Sequence, residues 1–350
     1  MDTMKALVWS GGSELLLMDR PLPTLQDSRD AIVRVTRSTL CTSDLHIRAG
    51  LVPRAVPGVV LGHEFTGVVV KVGGAVTGLH PGDRVAACCE TFCGTCWFCK
   101  RGYVNNCTRG GWLLGCRIDG CQAEYVRVPF ADTGLTPIPD TLSDEDALFV
   151  GDILSTGYFG AELCEIRPGD SVLVLGAGPV GLCAAQCARL FGAGKVLIIE
   201  PDPLRRAVAM REELADLALD PADPTLEAQI RWMTHGRGAD AVIEAAGTSR
   251  SFAMAWQLAR PNAIVALVAM YGESQTLPLP TMYGKNLIFK TGGVDARHCA
   301  TLMQLLADGR LRTGFLITHR GDLEHILEGY QIFAGREDGC LKWVAAAQNC

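Results

Sequence analysis

Three groups of residues in this chain have the types and spacings that chemistry requires. Cys93, Cys96, Cys99 and Cys107 form C-x2-C-x2-C-x7-C. Four thiolates at such short spacing can close a tetrahedron round Zn2+ with no open position, which stabilises a fold and does no chemistry. Unrelated free thiols are the plainer alternative, and this spacing rarely arises that way. Cys88, Cys89, Cys116 and Cys121 lie close enough to compete as ligands, but the 93/96/99/107 set is the better fit.

The second group is Gly176-Ala177-Gly178-Pro179-Val180-Gly181, a G-x-G-x-x-G run that follows a strand pattern and opens a helix pattern. That context is what gives the motif meaning. Gly176 permits the tight turn, Gly178 lets the backbone approach a pyrophosphate, and Gly181 allows the helix to pack closely on the strand. The helix start supplies free N–H groups for phosphates. A carboxylate is expected about 20 residues on to accept hydrogen bonds from ribose hydroxyls, and Glu200 lies there, in LIIEPD. It would repel a 2′-phosphate, which favours NAD over NADP. Arg205 and Arg206 follow shortly and soften that preference.

The third group is scattered. Cys41-Thr42-Ser43-Asp44-Leu45-His46, Gly62-His63-Glu64, Gly151-Asp152 and Ser155-Thr156-Gly157 are dense in polar and metal-ligand types. Each alone proves little, since a lone histidine is more often a packed or surface residue than a ligand.

These groups need elements to hold them. AIVRVTRSTL (31–40), FTGVVVKVG (65–73) and DRVAACC (83–89) read as strands closed by Gly or Pro-Gly turns, within a compact all-β region. From Asp144 the apolar spacing becomes helical and runs through DALFVGDILSTGYFGAELCEI. Strands and helices then alternate. SVLVLGAG is a strand, and VGLCAAQCARLFGA a helix ending at Gly192 or Gly194. KVLIIE is the next strand. A helix follows from near Leu204, then the strand ADAVIEAAG, a helix through Trp256 and the strand AIVALVAMYG. Near-continuous apolar strands between helices predict a parallel sheet covered on both faces. The fold class is therefore α/β plus β. From about Ala296 the pattern leaves this repeat, and the tail is expected to return to the first domain. The expected divisions are 1–151, 152–295 and 296–350.

Composition narrows the function classes. The chain has 350 residues, 48% hydrophobic and 20% charged, as globular proteins do. A net charge of -6 leaves no basic surplus for nucleic acid or an anionic membrane. No apolar run approaches the roughly 20 residues of a membrane helix. The first 20 residues do not read as a signal peptide. Fifteen cysteines, an odd number with four at metal-ligand spacing, point to a reducing, cytoplasmic compartment and a zinc site rather than disulfides.

Taken in order, CTSDLH, GHEFTGVV, PGDRV, the four-cysteine lobe, STGY and GAGPVG resemble the zinc-dependent medium-chain dehydrogenase/reductase family almost end to end. Alcohol, sorbitol and threonine dehydrogenases belong to it. The resemblance implies a GroES-like β domain with a catalytic zinc, a Rossmann domain with the nucleotide, and an active site in the cleft between them. It also implies a small alcohol or carbonyl substrate and a homodimer or homotetramer.

By this resemblance Cys41 and His63 are the first two ligands of the catalytic zinc. Glu64 is the neighbouring carboxylate that ligates or helps exchange water. The third ligand falls on Asp152, where the family's primary-alcohol enzymes have cysteine. This departure resembles the bacterial secondary-alcohol dehydrogenases and some formaldehyde dehydrogenases. Ser43 matches the hydroxyl that contacts the substrate oxygen, and His46 the outer end of a proton relay. Asp44 is expected to orient the loop or a ligand. Thr156 matches a nicotinamide contact, and ALVAMYG and FKTGGVD match backbone that cradles the nicotinamide ribose and carboxamide. Cys89 falls where many relatives carry a bulky pocket aromatic. Trp112 could narrow that pocket again, and core packing is an equal reading of both.

The expected function is oxidation of an alcohol, secondary or polyol, with hydride passing to NAD. A zinc-free quinone or enoyl reductase lacks both ligand sets. A non-catalytic nucleotide-binding relative has no need of an open zinc position.

Overall fold

The computed structural model describes residues 2–347. Met1 and residues 348–350, the ends of the expected first and third divisions, lie outside the described residues. The chain divides into two units. One comprises the residues up to Ser155 together with those from Asp295 onward, and the other Thr156–Val294.

The first unit is built on a seven-stranded sheet with the order Ile317–Asp322, Lys342–Ala346, Ala31–Thr39, Phe65–Val72, Arg84–Ala87 and Leu135–Pro137, with Tyr125–Val128 also pairing to Ala31–Thr39. The alternation read in AIVRVTRST has a physical basis here. Ala31, Val33 and Val35 pack inward with Phe65, Val69 and Val85. A hairpin of Thr3–Trp9 and Leu15–Pro21 stands apart from this sheet. The C-terminal strand Lys342–Ala346 runs antiparallel to Ala31–Thr39, with Val344 opposite Thr39. That pairing brings a segment distant in sequence beside the loop at Leu40 and Cys41.

The second unit is a six-stranded sheet. Its order is Leu217–Leu219, Lys195–Ile199, Ser171–Leu175, Ala239–Glu244, Ala259–Leu267 and Ile288–Thr291, and every pair is parallel. The chain starts at the middle strand, winds outward on one side, then restarts beside it on the other. The reversal point lies between Ser171–Leu175 and Ala239–Glu244, where open parallel sheets bind ligands beyond the carboxyl ends of their strands. The helix Pro179–Leu190 leaves the first of these strands. It closes at Gly192, whose φ of 105° is the left-handed geometry a helix end favours, so Gly192 and not Gly194 is the stop.

Two expectations need correction. The helical pattern after Asp144 is not one helix. It is a one-turn α-helix Asp144–Ala147, a π-turn Val150–Leu154 and a helix Ser155–Leu163. Gly151 explains the break: a Cβ there would lie 1.6 Å from the carbonyl oxygen of Ala87, so the backbone has been drawn against the neighbouring strand. Wide turns of this kind recur at functional sites. The division also falls later than 151/152. Residues 152–155 belong to the first unit, because Asp152 faces His63 and the Ser155 hydroxyl donates to the carbonyl of Val150 at 2.6 Å. The second break precedes Asp295 rather than Ala296. No helix among the described residues is long and apolar enough to cross a membrane.

Candidate active site and metal centres

Cys41 caps the helix Thr42–Arg48, and Asp44 in its first turn accepts from the Cys41 N–H at 3.0 Å. This reciprocal cap fixes the thiol's position. His63 and Glu64 precede the strand Phe65–Val72, and Asp152 sits on the π-turn. The four ligand atoms lie within 4.8 Å of one another. His63 Nε2 is 3.1 Å from Asp152 Oδ2, and Cys41 Sγ is 3.7 Å from the same oxygen. Zinc bond lengths give tetrahedral edges of about 3.4 Å for N···O and about 3.6 Å for S···O. The donor set therefore fits Zn2+ in both chemistry and spacing.

Asp44 ties the set together. Its Oδ1 faces His63 Nδ1 at 3.5 Å, while Oδ2 accepts from Gln122 Nε2 at 3.1 Å. Gln122 in turn accepts from the Tyr330 hydroxyl at 2.9 Å. An aspartate on Nδ1 orients the ring so that Nε2 is the nitrogen offered to a metal. Burial opposes charge on His63, but Asp152 and Asp44 outweigh it and hold the ring well above the usual histidine range. Glu64 is pushed up to about 7 by burial, against the pull of Lys342. Its Oε2 has no hydrogen-bond partner, whereas Asp44 Oδ1 and His63 Nδ1 have each other at 3.5 Å. An orphaned buried carboxylate oxygen is uncommon and suits a site that a cation completes.

Ser43 Oγ lies 3.5 Å from Cys41 Sγ, and half-buried His46 is one turn further along the same helix. Burial lowers the pKa of His46, so its ring is neutral near pH 7 and able to accept a proton. Trp112 stands edge-on to His63, with ring centroids 5.5 Å apart. Cys89 is buried, and its thiol is held protonated by that burial with Asp152 adding to the effect.

The second cluster is the cysteine lobe. Cys96 and Cys99 sulfurs are 3.4 Å apart, and Cys93 and Cys99 sulfurs 4.0 Å, against about 3.8 Å for a zinc tetrahedron of thiolates. The Cys93 N–H donates to Cys107 Sγ at 3.3 Å, and the Arg109 N–H to the same sulfur at 3.5 Å. Cys88, Cys89, Cys116 and Cys121 fall outside both clusters.

In the second unit the glycine run forms a tight turn between strand and helix. Gly176 has a φ of 97°. A Cβ on Gly181 would lie 2.0 Å from the Gly176 carbonyl oxygen. Gly178 caps the helix, with Pro179 at its first position followed by Val180. Glu200 is buried and braces the turn: Oε2 accepts from the Ala177 N–H at 2.7 Å and Oε1 from the Asp202 N–H at 3.0 Å. A carboxylate has about four acceptor sites, so both oxygens keep capacity for a ribose. Arg205 lies beside Gly178 and faces Asp202 at 3.8 Å, and Arg206 pairs with Asp220 at 3.2 Å. Both arginines thus face carboxylates. Thr156 is buried at the start of this unit, and the adjoining Gly157 lets its helix meet the backbone at Cys183 and Ala184.

Sequence reasoning missed Lys342, Gln122 and Tyr330. Nothing in their local patterns marks them. Only the antiparallel pairing of the last strand reveals that a lysine, almost never fully buried unless paired, reaches Glu64.

Residues 27–140 match the alcohol dehydrogenase GroES-like domain, and residues 179–308 match the zinc-binding dehydrogenase domain. An alcohol dehydrogenase of Cupriavidus necator is 37% identical over 366 residues, covering 97% of either chain. An NADP-dependent isopropanol dehydrogenase of Thermoanaerobacter brockii is 35% identical over 301 residues, covering 83% of this chain and 84% of its own. The solved structure of an alcohol dehydrogenase from Thermus sp. ATN1 shares 37% identity and a TM-score of 0.90, covering 99% of this chain and all 100% of that one. The chain belongs to the zinc-dependent medium-chain alcohol dehydrogenase family, with a GroES-like unit and a Rossmann unit.

Proposed function

We propose that this protein oxidises a secondary alcohol or polyol to the ketone with NAD, using one catalytic and one structural zinc. The observation that carries this reading is the convergence of Cys41, His63 and Asp152 at tetrahedral spacing. Three such ligands leave one position open for substrate. When bound, the metal supplies Lewis acidity towards the alcohol oxygen, and the nicotinamide accepts the hydride.

The chain's own residues do the rest. Asp44 holds Cys41 and His63 in place, and Lys342 holds Glu64. Ser43 Oγ accepts the proton of the substrate hydroxyl while releasing its own along the relay, and neutral His46 at the outer end takes up a proton and passes it to solvent. The helix start at Gly178 receives the pyrophosphate, Thr156 contacts the nicotinamide, and Glu200 accepts from the adenosine ribose. The isopropanol dehydrogenase relative uses NADP by its name. Here the buried carboxylate of Glu200, with Arg205 and Arg206 turned to Asp202 and Asp220, supports NAD instead. Cys93, Cys96, Cys99 and Cys107 hold the structural ion. A cytoplasmic homodimer or homotetramer completes this reading by resemblance.

The test is zinc content of the purified protein beside NAD+ and NADP+ reduction over an alcohol panel. About two zinc ions per chain, with NAD+ reduced fastest on secondary alcohols, is the expected result. About one zinc per chain and no turnover would overturn the catalytic assignment.

A further inference from the structure

Glu64 Oε2, in the donor cluster, is a buried side-chain oxygen without a hydrogen-bond partner among the described residues. Three more such polar atoms are Glu90 Oε2, Thr91 Oγ1 and Trp112 Nε1. These sit on one small feature, the isolated bridge between Thr91 and Gly111, where the Gly111 N–H donates to the Thr91 carbonyl at 2.7 Å.

The bridge meets the donor cluster through Trp112. The Cys88 thiol donates to the Glu90 carbonyl at 2.8 Å, fixing the backbone there. A Cβ on Gly111 would lie 3.3 Å from Glu90 Oε2, so the carboxyl packs against that glycine. Its neighbour Trp112 stands against the His63 ring at 5.5 Å. Glu90 is only 8% exposed and takes part in no ion pair among the described residues. Arg54 lies over the Trp112 ring at 5.2 Å rather than on the carboxylate.

A buried carboxyl oxygen without a partner, as Glu90 Oε2 is, is costly, and such groups persist where a ligand supplies what is missing. Burial pushes Glu90 up to about 8, with Asp152 adding to the effect and Arg54 and Arg117 opposing it. Its oxygens can accept, and its protonated form can also donate. The two nearby guanidinium groups disfavour an ammonium ligand. A hydroxyl matches what remains: Trp112 offers a donor and Glu90 offers both functions.

We infer that Glu90 is a specificity-determining residue that binds a second hydroxyl of the substrate, so that diols and polyols are preferred to alcohols with one hydroxyl. This rests on the proposed alcohol oxidation and narrows its substrate class.

The experiment compares wild type, Glu90→Gln and Glu90→Leu as zinc-loaded enzymes with NAD+. Substrates are 2,3-butanediol and 2-butanol, read as kcat/KM. Saturation-transfer NMR measures binding of both compounds to the same proteins. Wild type should favour the diol, and Glu90→Leu should lower the diol-to-monool ratio by about tenfold or more, because a site built for a hydroxyl loses its partner. Glu90→Gln, which still donates and accepts, should lose less. Glu90→Leu should also raise the thermal midpoint, since a buried unpaired oxygen is removed.

A ratio unchanged within about twofold in Glu90→Leu, or a lowered midpoint, would overturn the inference. If no variant turns over either compound, alcohol oxidation fails, and the NMR comparison decides the Glu90 question alone. Diol binding that vanishes in Glu90→Leu supports the inference, and equal binding overturns it.

Discussion

The ammonium of Lys342 is paired with Glu64 Oε1 at the centre of the first unit, with side-chain exposures of 1% and 0%. The same ammonium donates to the Leu40 carbonyl at 2.9 Å. Burial alone would lower the lysine's pKa, but Glu64 and Cys41 outweigh it and keep the group charged. Removing one partner of a buried pair strands the other charge, at about 3–5 kcal/mol. Lys342→Met should therefore lower unfolding stability in urea by that amount. Adding Glu64→Leu should restore most of it, because two apolar groups replace the pair. A single variant within about 0.5 kcal/mol of wild type, as surface changes are, would show that the pair does not hold the unit together.

Asp152, the proposed third zinc ligand, owes its position to backbone shape, since the π-turn Val150–Leu154 and the close approach at Gly151 aim it at His63. Asp152→Ala should reduce zinc by one ion per chain and abolish alcohol oxidation, while circular dichroism and NADH binding stay as in wild type. Zinc analysis separates the two metal centres, because the cysteine lobe shares no ligand with this one. Full activity with zinc unchanged would sink the assignment.

The lobe offers a pH signature. In metal-stripped protein, burial opposes the Cys93 thiolate. Backbone N–H groups at Thr95 and Cys96, with the Thr95 hydroxyl, outweigh it and hold the thiol down to about 5. Cys99 is pushed up to about 12 by burial and by Cys96 beside it. A lowered folded pKa means that Cys93 contributes stability above its usual value near 9, lost as pH falls through about 5. The thiolate is the reactive form. Iodoacetamide at pH 6.5 should then label Cys93 well before Cys99, read by peptide mass spectrometry. Bound zinc should protect both. Equal labelling of the two in stripped protein would contradict these environments.

The local parts of this molecule were legible in its sequence, and the long-range parts were not. The apolar alternation at 31–39 and the strand before Gly176 announce themselves because burial on one or both faces imposes a period. The four cysteines declare a lobe because their spacing is itself the geometry. By contrast, DALFVGDILSTGYFGAELCEI keeps helical spacing through a turn that is not α-helical, since the cause lies in Ala87 on another strand. Lys342 looks like any surface lysine until register sets its strand beside Thr39. Glu90 is equally silent, because burial rather than residue type makes it unusual.

Glu200 braces the glycine turn and, in the proposed reading, selects NAD, and one substitution can separate the two. Its Oε2 anchors the Ala177 N–H inside the glycine turn, and Oε1 anchors Asp202 at the start of the next helix. The negative charge opposes a 2′-phosphate, while the anchoring needs only acceptors. Glu200→Gln removes the charge and keeps one acceptor oxygen. NADPH should then bind tighter relative to NADH by about tenfold, equivalent to about 1.4 kcal/mol. NADH itself should bind more weakly, since one backbone anchor and one ribose acceptor are lost. Fluorescence titration of both coenzymes measures the two effects separately. Adding Asp202→Ala should free Arg205, 3.8 Å from that carboxylate, to meet the phosphate and widen the shift. An unchanged NADH-to-NADPH ratio in Glu200→Gln would mean that coenzyme choice is made elsewhere, leaving Glu200 as a brace for the turn.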